Sequence, residues 1–111
     1  MAKETCQPCR AGTPPLSPAD AKALAAQVPA WTLADKSLTR EFVMKDFSAA
    51  VAFLSEIAKV ADAQDHHPDV HLTGYRKLRL ELSTHSIGGL SRNDFILAAR
   101  IDGLPREEKR I

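Results

Sequence analysis

Four histidines in the middle of the chain are the side chains best suited to proton-transfer chemistry. They fall within a span of twenty residues: His66, His67, His71 and His85. The ordinary pKa of histidine lies near neutrality, so a cluster of imidazoles can hold both a proton donor and a proton acceptor at physiological pH. Three carboxylates nearby in sequence can orient a ring or keep it protonated: Asp62, Asp65 and Asp69. The cluster therefore favours general acid–base catalysis.

Metal binding and nucleophilic catalysis are the alternative kinds of site. His67 and His71 have the spacing of a zinc pair on a helix, but Pro68 between them favours an extended chain. Cys6 and Cys9 form a Cys-x-x-Cys pair without the second pair that a four-ligand zinc site needs, so we expect unpaired thiols and no metal. The chain has no Gly-x-Ser-x-Gly nucleophile motif. From spacing alone, a structural role for the histidines stays open beside catalysis.

Charge and hydropathy exclude several classes of partner. The 111 residues include 15 lysines and arginines against 14 aspartates and glutamates, so a nucleic-acid or anionic-membrane partner is disfavoured. The longest apolar run, residues 49–54, is far shorter than the roughly 20 residues that span a bilayer. The first residues lack the apolar stretch of a secretory signal, which favours the cytoplasm. We expect a flexible tail over residues 1–15 and one domain over residues 16–111.

The spacing of apolar residues predicts three helices and four strands. In chain order these are a helix over 18–28, strands over 31–33 and 38–44, a helix over 46–61, strands over 70–73 and 75–83, and a helix over 92–102. Ser17, Asp46 and Ser91 are the predicted N-caps, and Asp94 completes a capping box with Ser91. The order α-β-β-α-β-β-α predicts an α+β fold in which a four-stranded antiparallel sheet has its helices packed on one face.

These elements place the histidines at two neighbouring points of the sheet. His66 and His67 follow the end of the second helix, and His85 follows the fourth strand, so the hairpin between them can bring the two regions together. If the fourth strand stays regular, His85 shares its face with Tyr75 and Ser83, opposite the leucines that meet the helices. The imidazole of His85 is then expected to point away from the core.

A longer series of residues resembles the signature of the pterin-4a-carbinolamine dehydratases. Residues 62–68 read Asp-Ala-Gln-Asp-His-His-Pro, and they are followed by Tyr75, by Ser83-Thr84-His85, by Gly89-Leu90 and by Asp94. The resemblance extends from about residue 16 to residue 102. It implies an α+β protein that forms dimers or tetramers and acts on the 4a-hydroxytetrahydropterin released by aromatic amino-acid hydroxylases. The implied product is quinonoid dihydropterin, and neither a metal nor a bound cofactor is needed.

The resemblance also implies roles for particular residues. His66, His67 and His85 match the family's active-site histidines, Asp62 matches its acidic partner, and Asp94 matches the last acid of the signature. Among them we expect His66 and His85 to form the acid–base pair, His67 to bind the pterin, and Asp62 to hold His66 in position. Four further residues are expected to bind the substrate: Pro68, Ser83, Thr84 and Asp94. The alternative, from a different class, is a dimerising or regulatory protein, because some relatives of this family serve as transcriptional coactivators or assembly factors.

Overall fold

The elements that position the histidines are three helices and a four-stranded sheet. The computed structural model describes residues 3–6 and 14–109, with only the backbone of His85. Within these residues the elements are α1 (Pro18–Ala25), β1 (Thr32–Leu33), β2 (Leu38–Val43), α2 (Phe47–Gln64), β3 (Asp69–Thr73), β4 (Lys77–Leu82), a short 3-10 helix (His85–Ile87) and α3 (Arg92–Asp102). The expected order α-β-β-α-β-β-α is confirmed.

The sheet has the strand order β1-β2-β4-β3, and every neighbouring pair is antiparallel. In β4 the alternating residues Leu78, Leu80 and Leu82 are fully buried. They share one core with residues of α2 and α3 that are also buried: Phe53, Ile57, Leu97 and Ile101. Because side chains alternate across a strand, this core lies on one face of the sheet. The predicted α+β architecture with helices on one face is confirmed.

Several element boundaries differ from the prediction, among them the end of α1 at Ala25 instead of residue 28, and two of the differences have local causes. Gly74 and Tyr75 both have positive φ, 54° and 56°, so they form the turn between β3 and β4, and β4 begins at Lys77 instead of residue 75. A left-handed tyrosine is unfavourable unless the hairpin imposes it. The second helix continues one turn past the expected end at residue 61, since a left-handed residue at its C-terminus supplies a cap there.

The fourth strand, predicted over residues 75–83, does not stay regular up to His85. β4 ends at Leu82, Thr84 pairs with Gly89 in an isolated bridge, and His85 opens the 3-10 helix. The backbone N–H of Thr84 donates to the carbonyl of Gly89 at 2.8 Å, which closes a tight loop and breaks the alternation of faces. Strand parity therefore does not set the direction of the His85 imidazole, which lies outside the described side chains.

The position of α3 is fixed at its C-terminal end by Asp102. The indole Nε1 of Trp31 donates to Asp102 Oδ1 at 2.7 Å, and the guanidinium of Arg40 in β2 contacts the same oxygen. A carboxylate that accepts from two elements ties the helix to the sheet. At the N-terminal end, the hydroxyl of Thr84 donates to Asp94 in the first turn of α3, so this end lies next to the loop after β4.

The two edges of the sheet are covered differently. At one edge, the short β1 pairs only with the first two residues of β2. The C-terminal segment runs beside the other end of β2, where the N–H of Lys109 donates to the carbonyl of Val43 at 2.8 Å and Glu108 forms a bridge with Met44. At the other edge lies β3, whose residues are exposed apart from a half-buried Leu72. Among the described residues, no helix is both long and apolar enough to cross a membrane.

Candidate active site

The end of α2 is built so that the chain turns immediately before the first histidine. Asp65 adopts the left-handed conformation, with φ 51° and ψ 41°. Its N–H donates to the carbonyl of Asp62 at 3.3 Å, and the N–H of His66 donates to the carbonyl of Ala61 at 3.1 Å. These two bonds form a Schellman motif, and aspartate is one of the few residues that tolerate this conformation. The helix therefore ends at Gln64, and His66 lies beside α3.

His66 forms a short hydrogen bond with Asp94, a residue from another helix. The distance from His66 Nε2 to Asp94 Oδ1 is 2.6 Å, and the two side chains are 12% and 0% exposed. Asp94 lies in the first turn of α3, where its Oδ2 accepts the N–H of the capping residue Ser91 at 2.9 Å. A carboxylate is favoured at a helix N-terminus by the unpaired N–H groups and the helix dipole.

Two hydroxyl groups complete the surroundings of the Asp94 carboxylate. The hydroxyl of Thr84 donates to Asp94 Oδ2 at 2.9 Å, and the Oγ atoms of Thr84 and Ser91 are 2.7 Å apart. Thr84 has a single hydroxyl proton, so the hydroxyl of Ser91 donates to Thr84. All three side chains are buried. The carboxylate is thus held by donors from the loop after β4 and from the helix cap.

This arrangement assigns the proton on the His66 ring. An ionised carboxylate only accepts hydrogen bonds, so the Nε2 that faces Asp94 carries the hydrogen. Nδ1 is then the nitrogen able to take up a second proton. A buried carboxylate next to an imidazole fixes the ring's tautomer and stabilises the imidazolium that forms when it accepts a proton. With Asp94 as its partner, the His66 imidazole therefore has the arrangement of a general base that accepts a proton at Nδ1.

His67 has a different partner and different surroundings. Its Nε2 lies 2.9 Å from Asp62 Oδ1, with side chains 55% and 77% exposed. The expectation that Asp62 holds His66 was therefore wrong: Asp62 contacts His67, and Asp94 contacts His66. The cause is the left-handed turn at Asp65, which directs the two consecutive histidines to different helices. A polar contact this exposed contributes little to stability.

The other predicted site residues lie around the same end of the sheet. Pro68 is half-buried between His67 and β3, and Ser83 is half-buried directly after β4. The prediction for His85 concerns a side chain outside the described part of the structure. The sequence predicts Ser91 only as a helix cap, and its place three residues before Asp94 is the signal that links it to the carboxylate.

Neither His71 nor the cysteine pair joins this group of residues. His71 is exposed on β3, opposite Arg79 of β4. Cys6 contacts the carbonyl of Asn93, and Cys9 lies outside the described residues. Within residues 3–6 and 14–109, no three side chains of the metal-binding types are grouped closely enough to hold an ion. Metal-free chemistry stays a prediction.

Comparison with known proteins agrees with the signature in the sequence. The family described as pterin 4 alpha carbinolamine dehydratase matches residues 14–104. A protein of Nitrosomonas eutropha named "Putative pterin-4-alpha-carbinolamine dehydratase" is 44% identical over 105 residues, which cover 94% of this chain and 92% of that protein. A protein of Nitrosomonas europaea with the same name is 46% identical over 100 residues, covering 89% of this chain and 88% of that one.

Two solved structures are similar in fold. The transcriptional coactivator/pterin dehydratase from Brucella melitensis is 28% identical, with a TM-score of 0.74, and the match covers 79% of this chain and 95% of that chain. A pterin dehydratase-like protein described as a RuBisCO assembly factor of the alpha-carboxysome has a TM-score of 0.52 at 19% identity, covering 65% of this chain and 82% of that one, a likeness of fold alone. The family match over residues 14–104 and the relatives at 44% and 46% identity show that the chain belongs to the pterin 4 alpha carbinolamine dehydratase family.

Proposed function

We propose that this protein dehydrates 4a-hydroxytetrahydropterin to quinonoid dihydropterin by histidine acid–base catalysis. The observation that carries the proposal is the buried hydrogen bond between His66 and Asp94, next to the exposed His67. We place the reaction in the cytoplasm, in the recycling of the tetrahydropterin cofactor of aromatic amino-acid hydroxylases. Family membership supports the choice of substrate.

The reaction needs two proton transfers and no redox step. The substrate carries a hydroxyl group and a ring nitrogen on the same carbon. As the C–O bond breaks, an acid protonates the leaving hydroxyl to give water, and the nitrogen lone pair forms a C=N bond. A base removes one ring proton, so protons and charge balance. Two histidines on either side of one pterin suffice for this chemistry.

The surroundings of His66 favour the role of base. Asp94 accepts from Nε2 and stabilises the imidazolium that forms when Nδ1 takes the ring proton. His85 is then assigned to the leaving hydroxyl as the acid. Thr84 positions the carboxylate of Asp94, and so the His66–Asp94 pair, through its hydrogen bond to Asp94 Oδ2. Ser83 and Pro68 are proposed to contact the pterin. No metal or bound cofactor takes part in this scheme.

The direct test is a stopped-flow assay with synthetic 4a-hydroxytetrahydropterin. The purified protein should accelerate the loss of the substrate's absorbance in proportion to its concentration, and should do so equally in the presence of EDTA. Denatured protein is the control for adventitious catalysis by buffer. A folded protein that leaves the spontaneous rate unchanged would refute the proposal, and a stable complex with another protein would then favour the regulatory alternative.

His67 should act on binding more than on turnover. We expect His67→Ala to raise KM by about tenfold with a smaller change in kcat, because contacts made equally in ground state and transition state change affinity alone. Asp62→Asn, which alters the exposed partner of His67, should give a weaker effect of the same kind. Steady-state kinetics measure both constants. A fall in kcat with KM unchanged would instead place His67 in the proton transfers.

The protein should be a homodimer or homotetramer. Among the described residues β3 is an exposed edge strand, and α2 exposes Phe47 and Val51, four residues apart on one face. Small domains usually pair or cover such surfaces. Light scattering at micromolar concentration should therefore give at least twice the chain mass, and Phe47→Ser with Val51→Ser should lower the mass if the helix face contributes. A monomer at this concentration would contradict the expectation.

A further inference from the structure

Residues 3–6 form an N-terminal strap that lies across the two helices of the candidate site. The backbone N–H of Cys6 donates to Oε1 of Gln64, the last residue of α2, at 2.8 Å. The Sγ of Cys6 lies 3.6 Å from the carbonyl oxygen of Asn93, in the first turn of α3. The strap therefore contacts the end of one helix and the beginning of the other.

Glu4 fastens this strap to α3 by its side chain and by its backbone. Its carboxylate accepts two parallel bonds from Arg92, both 2.8 Å long, in the fork geometry that makes arginine–carboxylate pairs directional. Its carbonyl oxygen accepts Nε and Nη2 of Arg100 at 3.0 Å and 2.6 Å. The hydrogen bond from Arg92 lowers the pKa of the Glu4 carboxyl, and Glu4 in turn raises the pKa of Arg92.

The points of contact adjoin the residues of the proposed proton transfer. Gln64 lies two positions before His66, and Asn93 lies one position before Asp94. His66 and Asp94 come from different helices, so the length of their hydrogen bond depends on how the end of α2 sits against the start of α3. The strap bridges these same two helix ends.

We infer that Glu4 is a positioning residue for the His66–Asp94 pair, acting through the strap. The kinetic part of this inference rests on the proposed function. An exposed ion pair contributes little to global stability, so loss of Glu4 should leave the fold intact. A small displacement of a catalytic group can nevertheless cost a large factor in rate. Loss of Glu4 should therefore lower turnover without lowering the thermal midpoint.

The test compares Glu4→Gln with a matched control, Glu56→Gln, in the full chain. Glu56 pairs with Lys59 at 3.0 Å on the surface of α2, away from the strap. We expect Glu4→Gln to lower kcat by about threefold to tenfold with KM and thermal midpoint unchanged, and the control to change none of them. The charge-reversed pair Glu4→Arg with Arg92→Glu should recover part of the kcat lost in Glu4→Arg alone.

A second measurement separates this inference from the proposed function. The ¹⁵N and ¹H resonances of the His66 ring report the hydrogen bond to Asp94 whether or not the protein turns over a pterin. They should shift in Glu4→Gln and stay in place in Glu56→Gln. If the wild type has no dehydratase activity but the resonances shift, the proposed function fails and the strap's positioning role stands. Wild-type kcat and His66 resonances in Glu4→Gln would overturn the inference.

Discussion

Replacing both His66 and His85 by alanine should reduce pterin dehydration to the rate of the reaction in solution. One positioned acid or base typically contributes about a hundredfold to ten-thousandfold. A carbinolamine already dehydrates unaided, so each single variant should lose about a hundredfold, at the lower end of that range. The two groups serve one transition state, so the second substitution should cost less than the first. Stopped-flow kinetics of the three variants measure these losses.

His71→Ala is the matched control for this experiment, since it removes an imidazole from the exposed strand β3. It should keep wild-type kcat and KM. Circular dichroism should show all four variants folded, because Asp94 keeps its bonds to Thr84 and Ser91 when His66 is absent. Near-wild-type turnover by the double variant would remove both histidines from the mechanism.

Asp94→Asn should keep the fold and lose most of the activity. The amide oxygen can still accept from Thr84 and from the N–H of Ser91, but the amide nitrogen then faces His66 Nε2 as a donor. This forces the hydrogen of His66 onto Nδ1, the nitrogen that must take the ring proton. We expect kcat to fall about as far as in His66→Ala, about a hundredfold, with little change in KM. Steady-state kinetics give both constants.

Asp94→Ala should in addition destabilise the protein. It leaves the buried N–H of Ser91 and the hydroxyl of Thr84 without their shared acceptor, at about 1 to 3 kcal/mol for each unsatisfied group. Urea unfolding should therefore show a loss of at least about 2 kcal/mol. Asp62→Asn is the control, since Asp62 is 77% exposed and should unfold as the wild type does. Asp94→Asn with wild-type kcat would exclude the proposed role of the His66–Asp94 pair.

Local chemistry accounts for the parts of this protein that could be predicted from the sequence. The apolar spacing of α2 and the cap at Ser91 involve residues a few positions apart, and the structure has both helices. The leucines of β4 alternate with charged residues, and they face the core as expected. Family membership could be predicted from the signature residues around His66, His67 and Asp94, because their types and spacing can be read without knowing which of them are in contact.

The boundaries that were mispredicted depend on competition between local and distant interactions. The fourth strand alternates up to Ser83, but the bond between Thr84 and Gly89 ends it and starts the 3-10 helix at His85. The alternation of apolar and polar residues does not predict this hydrogen bond. The bond joins two residues five positions apart, and they meet only when the chain between them folds back. The position of the turn at Gly74 and Tyr75 is likewise not predicted by the alternation, because it depends on the register in which β3 and β4 pair.

The partners of the two central histidines were decided by the tertiary structure. Asp62 precedes His66 by four residues, so sequence proximity favoured that pair, yet the partner of His66 is Asp94, 28 residues away. Two features produce this outcome: the left-handed Asp65 turns the chain at the end of α2, and the packing of α3 against α2 brings a buried carboxylate to the ring. Hydrogen bonds act over about 3 Å in space, whatever the separation along the chain. The sequence therefore supplies the reactive groups, and only the packing of α2 against α3 selects which of them meet.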